Sequence, residues 1–443
     1  MSGPSQRRVA ITGMGALSGY GRGLRPLWEG LSSGGSAVRG HRARLGRRAW
    51  LDYPMAALRD DIATLASRLP KQGVVAGSRL TDDADLIALA DCVMQSIEDA
   101  GLAYPADHND IGLVVTHESP GLAAHVQGFF RWGQMLRAWL ASRHKLNPPE
   151  FLYEQQSVSV YRMHSFLYIH HLSSLFDLHG FTLYNNNACS SGAFALSIAA
   201  DRIRTGQTPA VIVVGGDLPE DGTKYRWFQD LGLYSRTGTC RPFSARRDGL
   251  VLGSGAAAIV LEDLDRARAR GRTIWAEWLG SGFSSDGWKV TFPDVVGGRY
   301  AEAIRTALRV SGTAPEDISL ICPHGVGSGL YDRYEAGSLA AVFGNGAGAW
   351  PPLMPVKAAV GHTLGGCVLL ETIAAILALH HGRIPDAATC PQPDPALPIG
   401  RTRTGDLPEA WRLLKVANGF AGQNSGLVLS APEAQDRRAR LEG

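Results

Sequence analysis

Apolar and polar positions along the chain switch repeatedly between a strand-like and a helix-like period. Residues 8–15, Arg8-Val-Ala-Ile-Thr-Gly-Met-Gly15, form a short apolar run ending in a glycine turn, as at the first strand of an α/β domain. Residues 82–102 place Leu86, Ala90, Val93 and Ile97 on one helical face. Continuous apolar runs at 111–116, 210–216 and 251–261 predict strands covered on both faces. Between them, 168–178 reads as a helix, 180–184 as an alternating strand, and 193–204 as a helix rich in small residues. After a charged stretch at 263–272 the scheme restarts. A strand is expected at 273–279, a helix at 300–310, a strand at 318–322, and paired strands at 413–417 and 426–431.

The restart has a local echo. Cys189-Ser-Ser-Gly192-Ala-Phe-Ala-Leu opens one helix and His362-Thr-Leu-Gly365-Gly-Cys-Val-Leu opens another, and the runs stop at Gly206 and Gly382. The pattern predicts two related α/β halves, 1–264 and 265–432, with a charged tail at 433–443. Their two helix N-termini are expected to face each other.

Composition narrows the class. The chain has 443 residues, 45% hydrophobic and 19% charged, with a formal net charge of +3, too small to argue for nucleic acid. Neither a secretory leader nor an apolar run of membrane-spanning length is visible, so a cytoplasmic protein off the membrane is expected. Cys92, Cys189, Cys240, Cys322, Cys367 and Cys390 show no CxxC pair and no metal-like spacing, which favours reduced thiols and no metal site. The lysines are few (Lys71, Lys145, Lys224, Lys289, Lys357 and Lys415), so one in an apolar setting is a candidate for a functional role. The basic run at 39–48 reads as a solvated loop. The stretch 119–161, with Phe129, Phe130, Trp132, Trp139, Pro148 and Pro149, reads as a subunit-interface excursion or as a lid over a pocket.

Four residues carry candidate chemistry. Cys189 sits at a strand-to-helix junction among small neighbours, where the helix dipole is expected to lower its pKa. A buried, inert cysteine is the alternative. His324 follows a short apolar strand in Pro323-His-Gly-Val-Gly-Ser328, and His362 closes Lys357-Ala-Ala-Val-Gly-His362. Together with Lys357 they make up a toolkit for carbon–carbon bond formation through a thioester.

These blocks resemble the β-ketoacyl-acyl-carrier-protein synthases, the ketosynthases of fatty-acid and polyketide synthesis in the thiolase superfamily. The likeness runs from Val9-Ala-Ile-Thr-Gly-Met-Gly15 through Ala188-Cys-Ser-Ser-Gly192, Arg241-Pro-Phe and Arg247-Asp-Gly249. It continues through His324-Gly-Val-Gly-Ser328 with Asp332 and Glu335, Lys357 to His362 with Glu371, and Gly419-Phe-Ala-Gly-Gln-Asn424. The resemblance implies a thiolase-like α/β fold of five layers, α-β-α-β-α, in a homodimer or in a heterodimer with a homologue. It implies that Cys189 accepts an acyl group from phosphopantetheine on an acyl carrier protein, with no cofactor bound by the chain itself. His324 and His362 would then stabilise the enolate left by decarboxylation of a malonyl thioester. Lys357 and Glu371 would order the histidines, and Phe420 would gate the sulfur and share the oxyanion with the Cys189 N–H.

Departures from the family pattern point to a specialised role. Asn187 replaces a threonine, Val326 and Ser328 replace the threonines that contact the pantetheine arm, and Gly253-Ser-Gly-Ala-Ala257 replaces GEGAG. The expected reaction is a decarboxylative Claisen condensation in polyketide or specialised fatty-acid biosynthesis. The alternatives are ester or amide formation from the same acyl-cysteine, and a chain-length partner subunit.

Overall fold

The computed structural model describes residues 7–44, 50–70, 83–102, 110–141, 157, 160–345, 350–390, 392–399 and 406–437. Residues 45–48 of the basic run, the middle of the 119–161 excursion with Pro148 and Pro149, and most of the charged tail lie outside them.

Twelve strands are present among the described residues. They are β1 (Val9–Ser18), β2 (Gly21–Arg22), β3 (Arg39–Arg44), β4 (Trp50–Met55), β5 (Gly112–Thr116) and β6 (Thr182–Asn185). The second six are β7 (Ala210–Asp217), β8 (Gly255–Asp263), β9 (Ala276–Ser285), β10 (Leu320–Cys322), β11 (Arg412–Gly419) and β12 (Gln423–Ser430). Ten of them form one sheet in the order β10-β11-β12-β9-β1-β8-β7-β5-β6, with β2 beside β1.

The duplication is visible in the strand directions. In the first half β5 pairs in parallel with β6 and β7, while β7–β8 and β8–β1 are antiparallel. In the second half β10–β11 is parallel, and β11–β12 and β12–β9 are antiparallel. The series β1-β8-β7-β5 is thus matched by β9-β12-β11-β10. Leu353, bridged in parallel to Ile321, takes the place of β6. The halves are not separate sheets, because Val9, Ala10 and Ile11 of β1 pair with Trp278, Glu277 and Ala276 of β9.

Side-chain alternation sorts the core into layers. In β7, Val211 and Val213 face a central core while Ile212 and Val214 face an outer one; Ile259 and Val260 of β8 divide the same way. In β11, Leu413 and Ala417 face the centre, and Leu414 and Val416 face the outer core of the second half. Helices Ser191–Arg204 and Cys367–His380 fill the centre. Helix Ala84–Asp99 covers the first half, and Arg299–Val310 covers the second. These are the five layers expected of a thiolase-like fold.

One expectation is overturned. Residues 39–44 are not a loop but β3, a strand paired with β4 from Arg39↔Met55 to Arg44↔Trp50. Most of its side chains are solvated, so no apolar alternation marks it in the sequence.

The start of the central helix and strand β7 meet at glycines. A Cβ added at Gly366 would lie 2.6 Å from Gly216 Cα and 2.7 Å from Gly215 O, both backbone. Gly366→Ala is therefore expected to destabilise the fold by about 1–3 kcal/mol. A denaturation midpoint unchanged from wild type would show that β7 and the central helix are not in this contact.

Candidate active site

Cys189 lies between β6 and helix Ser191–Arg204, at a turn that its own neighbours fix. Ala188 has a left-handed backbone (φ 50), and Ser191 Oγ accepts from the Asn187 N–H at 2.7 Å. Ser190 Oγ donates to the Gln423 carbonyl at 2.6 Å, tying the turn to the start of β12. Gly419, at the end of β11, passes beside the cysteine backbone: a Cβ there would be 3.3 Å from Cys189 N. Phe420 follows directly and packs near Trp227, Phe228 and Tyr331.

His362 comes to the sulfur from the matching position in the second half. Its Nε2 is 3.2 Å from Cys189 Sγ, and the Leu364 N–H donates to its Nδ1 at 3.2 Å. With Nδ1 accepting, the ring proton resides on Nε2. His324 crosses His362 at nearly a right angle, with ring centroids 5.5 Å apart. The Lys357 ammonium donates to His324 Nδ1 (3.3 Å) and to the His324 carbonyl (2.7 Å), so this ring also carries its proton on Nε2. Two carboxylates hold the turn beneath it. Glu335 accepts from the N–H groups of His324 (2.6 Å) and Gly325 (2.7 Å), and Asp332 accepts from those of Gly327 (3.1 Å) and Phe243 (2.7 Å).

Under the histidines lies a buried charge triad. Glu371 Oε1 pairs with Lys357 Nζ and Oε2 with Lys415 Nζ, each at 2.6 Å. Lys415 also donates to the carbonyls of Pro323 (3.2 Å) and Val416 (2.9 Å). All three charged residues are at most 1% exposed. Two cations face one anion, so the triad carries a net positive charge. Burial, reinforced by Lys357 and Lys415, pushes both His324 and His362 well below the usual histidine range and leaves them neutral.

The expected depression of the Cys189 pKa is overturned. Burial, aided by the nearby Glu118 carboxylate, pushes the thiol well above its ordinary value, and this outweighs Lys357 and Lys224. The first helical N–H groups are already used: Ser191 N donates to Ala188 O and Ala193 N to Ser190 O. The group at rest is a thiol.

A cleft of about 320 Å³ collects Cys189, His324, His362, Val326, Ser328 and Phe420. Lys357 stands one contact behind it and Glu371 behind Lys357, so the candidate site residues of the sequence analysis converge here. Lys415 and Glu118 were not singled out. Lys415 carried only the general signal of lysine scarcity, and Glu118 carried none. Glu118 Oε1 is 3.9 Å from Cys189 Sγ, and its Oε2 accepts from Lys224 Nζ at 2.9 Å.

Known proteins share this arrangement of sequence and fold. The chain matches the family model of the β-ketoacyl synthase N-terminal domain over residues 6–267 and that of the C-terminal domain over residues 275–390. Nodulation protein E of Rhizobium leguminosarum bv. trifolii is 26% identical, covering 96% of this chain and 98% of its own. Putative polyketide beta-ketoacyl synthase 1 of Streptomyces cyaneus is 27% identical, with 97% and 100% covered. The crystal structure of a beta-ketoacyl synthase from Burkholderia phymatum STM815 superposes with a TM-score of 0.78 at 25% identity, covering 96% of this chain and 100% of that one. With both family models matched in order along most of its length, the chain belongs to the β-ketoacyl synthase family of acyltransferases.

Proposed function

We propose that this chain catalyses the decarboxylative condensation of an acyl-Cys189 thioester with a malonyl-type thioester, in polyketide or specialised fatty-acid biosynthesis. In the first half-reaction Cys189 Sγ attacks the thioester carbonyl of an acyl group brought on carrier-bound phosphopantetheine. The new C–S bond replaces the old one, and the cysteine proton leaves with the departing pantetheine thiol. In the second, the malonyl C–C bond breaks, CO2 departs, and the remaining electron pair forms an enolate. That enolate attacks the acyl-Cys189 carbonyl. The sulfur leaves as thiolate and takes up a proton, while the β-ketoacyl group remains on the carrier.

The observation that carries this reading is the pair of neutral imidazoles. His324 and His362 each have Nδ1 occupied by a donor and so carry the hydrogen on Nε2; both line the cleft that holds Cys189, and His362 Nε2 stands 3.2 Å from its Sγ. Two such donors suit the oxygen of a malonyl thioester as it becomes an enolate, and stabilisation of developing oxyanions is typically the largest catalytic term. The backbone N–H groups of Cys189 and Phe420, on adjoining strands of chain, suit the second oxyanion at the acyl carbonyl. Val326 and Ser328 line the approach and would contact the pantetheine arm. A second subunit, the same chain or a homologue, fits the helix Leu122–Ala141, whose Phe129, Phe130 and Leu140 are 56%, 41% and 57% exposed.

Intact-protein mass spectrometry with acyl-carrier and then malonyl-carrier thioesters tests the scheme. Cys189→Ala is expected to abolish acyl loading, and covalent loading of that variant would overturn the assignment. His324→Ala or His362→Ala should keep measurable loading but lower condensation by about 10² or more. Normal product formation by both variants would refute the division of labour.

The histidine electrostatics predict a pH signature. An unfolded histidine binds a proton below pH about 6.5, whereas the buried folded one does not, so stability is lost progressively as pH falls from that value toward the depressed folded pKa. The stability difference between wild type and His362→Asn should therefore shift against the wild type below pH about 6.5, by up to about 1.4 kcal/mol per pH unit. Urea unfolding of both proteins on either side of that pH measures it. A difference independent of pH would mean that His362 titrates normally.

A further inference from the structure

A second cavity, of about 300 Å³, has charged walls: Asp85, His117, Asp217, Asp221 and Lys224 line it, along with Leu364. Two of its lining residues, Leu364 and Lys224, connect it to the reacting centre. The Leu364 N–H holds His362 Nδ1, and the Glu118 carboxylate spans from Cys189 Sγ (3.9 Å) to Lys224 Nζ (2.9 Å).

Much of the acceptor capacity of this chamber is already taken. Asp217 accepts from the N–H groups of Glu118 (3.1 Å) and Gly365 (2.9 Å) and pairs with His117 Nδ1 at 2.9 Å. Asp85 accepts from the Leu218 N–H at 2.7 Å, and Asp221 accepts from Thr223 N at 3.0 Å. What the chamber holds in reserve is donor capacity. His117 is 2% exposed, its Nδ1 also reaches the Gly216 carbonyl at 2.6 Å, and its Nε2 has no polar partner among the described residues. Burial opposes its charge, but the Asp217 carboxylate prevails and moves its pKa up to about 10, so Nε2 carries a hydrogen. The Lys224 ammonium has three hydrogens, and Glu118 is its hydrogen-bonded partner.

We infer that the acyl group received by Cys189 bears an oxygen acceptor, a carbonyl or hydroxyl on its chain, and that this oxygen lodges in the chamber on Lys224 and His117. The inference rests on the acyl-Cys189 reading above and names the class of acyl group. A saturated chain entering here would strip water from the Glu118–Lys224 pair and offer nothing in return, and it would leave His117 Nε2 unpaired. An oxygen-bearing chain satisfies both donors. Sites built to hydrogen-bond a substrate oxygen reject the analogue lacking it far more strongly than apolar pockets discriminate methylenes.

The test is the rate of Cys189 acylation, followed by intact mass, with hexanoyl, hydroxyhexanoyl and oxohexanoyl groups on the same phosphopantetheinyl carrier. The wild-type protein should take at least one oxygenated chain about 100-fold faster than hexanoyl. In the double variant Glu118→Leu/Lys224→Met, which removes both charges and strands neither, the ratio should invert toward hexanoyl. His117→Asn, which keeps the pair, should lower the ratio without inverting it. Equal wild-type rates, a wild-type preference for hexanoyl, or an unchanged ratio in the folded double variant would overturn the inference while leaving the acyl-cysteine intact. If no thioester acylates Cys189 although iodoacetamide still alkylates it, the acyl-carrier reading itself fails, and this inference falls with it.

Discussion

The buried Lys357–Glu371–Lys415 triad is the constraint on which the site depends. Burying one ammonium beside one carboxylate is already expensive, and a second ammonium is tolerable only where every hydrogen finds an acceptor. Lys415 meets that condition through the carbonyls of Pro323 and Val416, and Lys357 through His324. Those same bonds fix the chain on either side of His324. Burial, with the excess positive charge adding to it, keeps protons off both imidazoles. One arrangement therefore sets the position and the tautomer of His324 and bears on the charge state of both histidines.

The fold brings this about by doubling a motif. The strand that delivers Cys189 and the bridge at Leu353 that precedes His362 occupy equivalent places, and the helices that follow pack against each other. A Cβ on Gly192 would come within 3.0 Å of Val368 Cβ, a measure of how closely the two helix starts approach. Nucleophile and imidazole meet because two copies of one turn face each other across the central layer.

Much of this was legible in the sequence, for identifiable reasons. The cysteine and histidine turns are local, dense in small residues, and spaced like one another. Lys415 was harder to place, because a lysine in an otherwise apolar β11 gives no hint of its partner, and Glu371 lies 44 residues away. Glu118 and Lys224 are 106 positions apart, so no spacing rule joins them. The thiol departs from the helix-start expectation for another reason. A helix start argues for a thiolate only where solvent still reaches the sulfur, and Cys189 is 6% exposed. Strand β3 escaped notice because its solvated arginines mimic a loop.

The pairing of β1 with β9 has a mechanical consequence. Three successive residues of β1 join the two halves across a shared ladder, so the halves cannot swing apart as jaws without tearing a continuous sheet. If access to the sulfur is gated, as proposed for Phe420, the gate must work at the scale of a few residues. The short turn Phe420–Gly422, with Ala421 held at φ 58, is of that scale: it joins β11 to β12 beside Cys189 and lies outside the ladder that ties the halves together. On the proposed reading, the Phe420 side chain would be the door and the sheet its fixed wall.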